Sequence, residues 1–125
     1  MPMNFTGKDI ISIKDFSKSE IDHILKYATK MVPYATGEKT TSLLQDKILS
    51  SLFFEPSTRT RLSFESAMNR LHGRVIGFAD PTATSQKKGE SLADTIRMAD
   101  AYSDMIVIRH PSEGAARLAA EFSDA

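Results

Sequence analysis

The sequence predicts an α/β domain built as a parallel sheet with helices on both faces, and three observations carry that prediction. Apolar, β-prone segments at residues 47–54, 74–79 and 105–108 alternate with segments of helical periodicity. The first of these segments is a continuous apolar run, the pattern of a strand covered on both sides. Each segment is followed by a polar, cationic stretch, at residues 55–61, 80–90 and 109–111, and the carboxyl ends of parallel strands are where ligands gather in such folds.

Taken in order, residues 1–16 hold one apolar cluster, Ile10, Ile11 and Ile13, and read as a lead-in lying against the first helix. Ser17 with Glu20 forms a capping-box pattern, and Ile21, Ile24, Leu25, Ala28, Met31 and Val32 follow at helical spacing, predicting a helix that runs to about Pro33. His23, with no second ligand type at suitable spacing, reads as a surface residue. Residues 33–44, with Gly37 and several threonines, are the loop into the first strand. After Pro56 a second helix is marked by Leu62, Ala67, Met68 and Leu71 on one face, with Phe64 nearby and Gly73 as its stop. Residues 74–79 are the second strand, and 80–90 have no periodicity. Ser91 with Asp94 caps a third helix carrying Leu92, Ile96, Met98 and Ala99. The third strand closes at Arg109-His110-Pro111, and the alanine-rich residues 113–122 form a fourth helix. Met68, Met98 and Met105 occupy apolar positions as core filler, and right-handed crossovers are expected between the strands.

The chain has 125 residues, the size of one domain with a core of its own. Sixteen basic residues balance sixteen acidic ones, so nothing draws the whole surface toward nucleic acid or anionic lipid, and any functional positive charge must be local. No cysteine is present, which removes disulfides and thiolate metal sites and fits the cytoplasm. With no apolar run of transmembrane length and no leader-like start, the sequence reads as soluble and untargeted.

The local charge sits at Phe53-Phe54-Glu55-Pro56-Ser57-Thr58-Arg59-Thr60-Arg61. An apolar strand ends at a proline, and three hydroxyls then alternate with two guanidiniums where the periodicity turns helical. The first N–H groups of a helix lack partners inside it and its dipole is positive there, so a phosphate is held by backbone and field together. Ser57, Thr58 and Thr60 add neutral donors, and Arg59 can add a charge-assisted bidentate pair worth roughly 1.5–3 kcal/mol. A simple Ser/Thr cap with solvated arginines needs one hydroxyl, and here there are three. Arg61 is expected to pair with Glu65 at the i,i+4 spacing. Arg109 and Lys88 are further counter-charges for an anion, whereas Lys87, Arg70 and Arg74 read as surface residues.

No segment pairs a nucleophile with a base, although His110 could reach Ser57 in space. Phosphate-loop and dinucleotide fingerprints are absent from the sequence. These residues suit a site that positions and polarises: attack on a carbonyl whose leaving group is phosphate, with fixed cations and dipoles stabilising the oxyanion and the leaving group.

The run from Phe53 to Glu65 resembles the carbamoyl-phosphate signature of the transcarbamylases. Lys87-Lys88-Gly89-Glu90-Ser91 with Asp94-Thr95, and Ile108-Arg109-His110-Pro111, are similar to that family's next two segments in order. Glu-Pro before the Ser-Thr-Arg-Thr-Arg run, and Arg-His-Pro after the third strand, resemble the aspartate branch rather than the ornithine branch. The resemblance implies transfer of the carbamoyl group from carbamoyl phosphate to L-aspartate, giving N-carbamoyl-L-aspartate and phosphate for pyrimidine biosynthesis, with no metal or organic cofactor. It implies a homotrimer, with regulatory chains as further partners. Residue by residue, it implies that Ser57, Thr58, Arg59 and Thr60 hold the phosphate and that Thr60 and Arg109 polarise the carbamoyl oxygen. Ser85 and Lys88, with Thr84 as the rival of Ser85, would enter from the neighbouring subunit, and Glu55 would link two domains on closure. Arg59, Thr60, Arg109 and Lys88 are thus the expected catalytic residues.

The family's His-Pro-Thr-Gln segment and its aspartate-binding second domain have no counterpart in these 125 residues, and His110-Pro111 is a different segment. The sequence therefore reads as a truncated carbamoyl-phosphate-binding domain spanning residues 1–125. Two alternatives stand beside the enzyme: a non-catalytic carbamoyl-phosphate or phosphate-binding module that oligomerises, and a purely structural or regulatory partner.

Overall fold

Two adjacent serines reveal how the layers are stacked. In the computed structural model, which describes residues 4–79 and 91–125, strand β1 (Ile48–Phe53) is the middle of a parallel three-stranded sheet, between β2 (Arg74–Phe78) and β3 (Met105–Arg109). Successive side chains of a strand point to opposite faces. The Ser50 hydroxyl donates to Ser103 Oγ at 2.8 Å, and that oxygen in turn donates to the Ala99 carbonyl of helix α3 (Leu92–Tyr102) at 2.6 Å. The Ser51 hydroxyl donates instead to Glu65 Oε2 of helix α2 (Thr58–Arg70) at 3.2 Å. Helices α2 and α3 therefore cover opposite faces of the sheet, as the alternating pattern predicts.

The core follows the same alternation. Leu52 and Phe54 pack with Ile96 and Ala99 of α3 and with Ala119 of α4 (Ala115–Glu121) on one side. Leu49 and Phe53 are buried on the other, as is Met68 of α2. That second face is only partly covered, because α2 packs over β1 and β2 and leaves β3 open. An apolar cleft of about 780 Å³ remains there, lined in part by Leu49, Phe64, Met68, Leu71, Met105 and Val107.

Helix α1 (Lys18–Thr36) opens on the expected capping box. Ser17 Oγ accepts from the Glu20 N–H at 3.1 Å, and Glu20 Oε1 accepts from the Ser17 N–H at 2.9 Å. The lead-in does lie against this helix. Lys8 Nζ donates to Glu20 Oε2 at 3.1 Å and sits 4.3 Å from the centre of the Phe16 ring, and the Phe5 ring stacks on His23. No described helix is long and apolar enough to cross a membrane.

Several expected boundaries and burials are corrected. Helix α1 passes through Pro33 rather than stopping there: proline costs one hydrogen bond, to the carbonyl four residues earlier, and the helix ends at Gly37, whose φ of 84° supplies the left-handed cap. At the end of α2 the left-handed residue is His72, with φ of 67°, and not Gly73. The Gly73 N–H donates to the Met68 carbonyl at 2.9 Å and the His72 N–H to Asn69, the paired bonds of a Schellman turn, while the His72 ring nitrogen Nδ1 meets the Thr41 carbonyl. Gly73 leaves room for Met68, since a Cβ there would lie 2.3 Å from Met68 Cε unless that side chain moved.

Leu62 is 51% exposed, because the helix turns Ser51-facing Glu65 and buried Met68 inward instead. Met68 is core, but Met98 is 53% exposed on the outer side of α3 and Met105 is 37% exposed in the open cleft. Apolar character at one position cannot say which neighbours will be present to cover it. The strands are shorter or longer than expected by a residue at their ends, and the fourth helix begins after Gly114, at φ of 79°.

Candidate functional site

The amino end of α2 is built without the groups that normally close one. Ser57 occupies the N-cap position, yet its side chain makes no capping bond, and the first turn carries no acidic residue. The first helical hydrogen bond runs from the Arg61 N–H to the Ser57 carbonyl at 3.0 Å. Among the described residues, the N–H groups of Thr58, Arg59 and Thr60 have no hydrogen-bond partner. Three orphan donors and the positive end of the helix dipole therefore face the same place.

The Ser57 hydroxyl is engaged from another direction. Arg109, the last residue of β3, donates from Nη1 to Ser57 Oγ at 2.8 Å and from Nε to Glu55 Oε1 at 2.9 Å. Parallel pairing makes this possible, since Arg109 stands in register with Phe53, two residues before Glu55 on the adjacent strand. The Glu55–Arg109 pair is 32% and 46% exposed on its two sides, so solvent weakens it and an incoming anion can compete for the guanidinium. Arg59 is exposed and makes no ion pair among the described residues. Thr58 is exposed, and Ser57 and Thr60 are half-buried. A smaller cleft of about 370 Å³ opens beside Arg109 and His110 at the end of β3.

The structure thus brings Glu55, Ser57 and Arg109 into direct contact and puts Thr58, Arg59 and Thr60 on the adjoining helical turn. It does not bring His110 to Ser57. The His110 ring lies against Phe54, with centroids 4.8 Å apart, and its Nδ1 accepts from the Ser112 N–H at 3.0 Å. Arg61 pairs with Glu65 at 3.2 Å, as the spacing predicts. Ser85, its rival Thr84, Lys87 and Lys88 lie outside the described residues. Sequence reasoning missed Ser51 as a partner of Glu65; a serine within an apolar strand was the available signal. Among the described residues, no three His, Cys, Asp or Glu side chains gather as a group able to hold a metal ion.

A family model described as aspartate/ornithine carbamoyltransferase, carbamoyl-P binding domain, matches residues 8–125. The chain belongs to the aspartate/ornithine carbamoyltransferase family. Within that family it is similar to the aspartate carbamoyltransferase catalytic subunit of Thermococcus gammatolerans, with 59% identity over 122 residues, 98% of this chain and 40% of that protein. The corresponding subunit of Methanothermobacter thermautotrophicus is 61% identical over 117 residues, covering 94% of this chain and 38% of its own length.

Among solved carbamoyltransferases, the aspartate transcarbamoylase of Trypanosoma cruzi in complex with carbamoyl aspartate and phosphate superposes with a TM-score of 0.86. It is 42% identical, over 94% of this chain and 37% of that one. The catalytic subunit of M. jannaschii aspartate transcarbamoylase gives a TM-score of 0.83 at 55% identity, over 93% and 38%. The chain therefore spans about two fifths of the length of these carbamoyltransferase relatives.

Proposed function

We propose that residues 1–125 form the carbamoyl-phosphate-binding domain of an aspartate carbamoyltransferase, and that the amino end of α2 is where the phosphate binds. The observation that carries this reading is an uncapped, acid-free helix start beside an arginine held by the Ser57 hydroxyl and a partly exposed carboxylate. Phosphate oxygens take the N–H groups of Thr58, Arg59 and Thr60 and the hydroxyls of Ser57, Thr58 and Thr60, and Arg59 closes on them as a bidentate pair. Arg109 exchanges Glu55 for the ligand and, with Thr60, donates to the carbamoyl oxygen. As the aspartate amine adds to the carbonyl carbon, charge grows on that oxygen and is met by Arg109 and Thr60. The carbon–oxygen bond to phosphate then breaks, the departing phosphate takes the surplus proton of the amine, and its charge is met by Arg59 and the helix end.

The rest of the proposal rests on the resemblance. Lys88 and Ser85, or Thr84 in its place, would reach this site from the neighbouring subunit of a homotrimer, with regulatory chains as additional partners. Glu55, once released from Arg109, would be free to link domains. The residues that select aspartate belong to a second domain, the reaction requires neither metal nor organic cofactor, and the setting is pyrimidine biosynthesis in the cytoplasm. One second reading fits the same helix-end geometry, which can hold a phosphate whether or not turnover follows: a module that binds carbamoyl phosphate and oligomerises without turnover.

Calorimetry with carbamoyl phosphate and with phosphonoacetate tests the shared part of both readings. Saturable one-site binding that Arg59→Ala weakens is the expected result. No binding of either compound would remove the phosphate site, and with it both readings. Carbamoyl-aspartate formation by a relative's catalytic subunit whose corresponding domain is replaced by residues 1–125 then separates enzyme from module.

A further inference from the structure

Ser51 is a polar side chain in the middle of β1 and only 2% exposed. Its hydroxyl donates to Glu65 Oε2 at 3.2 Å, and the same oxygen accepts from Arg61 Nη1, also at 3.2 Å. Glu65 Oε1 takes a longer contact from Arg61 at 3.4 Å. One carboxylate therefore ties the centre of the sheet to the residue whose N–H makes the first hydrogen bond of α2.

The order of this ion pair is the less favourable one for a helix. Arg61 stands near the positive end of the dipole and Glu65 a turn further on, whereas an acid preceding a base by four residues is the stabilising arrangement. Helix stability alone does not explain a pair placed against the field. Its geometry offers another role. Two anchors on one carboxylate fix the rotation and the axial position of α2 against β1, and that rotation decides where the N–H groups of Thr58, Arg59 and Thr60 aim. Held by Glu65, the Arg61 guanidinium is also kept from drawing the anion one turn too far along the helix.

We propose that Glu65 is a positioning residue for the anion site, locking the amino end of α2 onto β1 through Ser51 and Arg61. The proposal rests on the reading of that helix end as a phosphate site. Because Oε2 takes both the Ser51 and an Arg61 hydrogen, a glutamine oxygen in the same place keeps the lock while removing the charge.

The test titrates inorganic phosphate into the chain and into Glu65→Ala, Glu65→Gln and Ser51→Ala, with a thermal melt of each. Expected are losses of affinity of about tenfold for Glu65→Ala and about threefold for Ser51→Ala, with Glu65→Gln within about twofold of the parent. Equal affinity in Glu65→Ala and Ser51→Ala overturns the proposal, even if their melting temperatures fall. So does tighter binding in both Glu65 variants, which would make the carboxylate a mere repulsive charge. Should Glu65→Ala fail to fold, Ser51→Ala and Glu65→Gln decide by the same criteria. A parent chain that binds no phosphate fells the phosphate reading and this proposal together, whereas a binding parent with unaffected variants fells the positioning role alone.

Discussion

Arg109 and Ser57, separated by 52 residues in sequence, are joined by a 2.8 Å hydrogen bond from guanidinium to hydroxyl. That bond takes the one side chain that could have capped α2 and points it at the neighbouring strand end, so the helix start keeps its electropositive character. The same guanidinium holds Glu55. An internal carboxylate thus occupies the cation that the proposed ligand needs.

Arg59 has no competing ion pair among the described residues, so its charge is available to a phosphate. Arg59→Ala should weaken phosphonoacetate binding by roughly 1.5–3 kcal/mol, read by calorimetry. An unchanged dissociation constant would place Arg59 outside the site.

Glu55 is expected to act as a competitor. Removing its charge in Glu55→Gln should tighten phosphate binding by about two- to fivefold, the range open to a half-exposed ion pair. Weaker binding in this variant would mean that Glu55 orders Arg109 for the ligand rather than competing with it.

Glu20 is a carboxylate whose hydrogen bonds tie its titration to folding. The Ser17 N–H, and after it Lys8, hold the Glu20 carboxyl below the ordinary carboxylate range. A depressed folded-state pKa contributes stability that is present above the unfolded value and lost as pH falls through the folded one. Urea midpoints should therefore fall on acidification across that window, and Glu20→Gln should flatten the fall. Parallel curves for the two proteins would show that the capping box does not contribute to the pH dependence.

Gly77 and Gly73 should respond differently to alanine. A Cβ at Gly77 would lie 2.0 Å from the backbone oxygen of Ser51, at a φ of 136°, and neither can be relieved cheaply. Gly77→Ala should cost about 3 kcal/mol or more. At Gly73 the nearest atom is the end of the Met68 side chain, which can move, and about 1–2 kcal/mol is expected. Denaturation midpoints that reverse this order would contradict the strand packing at Ser51.

Local signals were legible without coordinates. The capping box at Ser17 and Glu20, the Ser91 cap that accepts from the Asp94 N–H, and the Arg61–Glu65 pair all involve residues within four positions of each other. The parallel sheet followed from the alternation of strand and helix, and the anion-site candidates from hydroxyls and guanidiniums at one helix start. Burial was less legible. Met105 and Leu62 are apolar at apolar-patterned positions, yet Met105 faces an open cleft and Leu62 faces solvent, because periodicity names a face but not what stands across from it.

By itself, then, the sequence determined the fold class, the starts of the first three helices and the chemical groups gathered at the strand end, since these depend on backbone preferences and on chemistry within a few residues. Only the tertiary structure decided that Ser57 answers to Arg109 rather than to its own helix or to His110, that Glu55 holds that arginine, and that Glu65 reaches Ser51. Those contacts arise because parallel pairing of β1 with β3, and the seating of α2 on β1, bring together groups whose separation along the chain carries no trace of their distance in space.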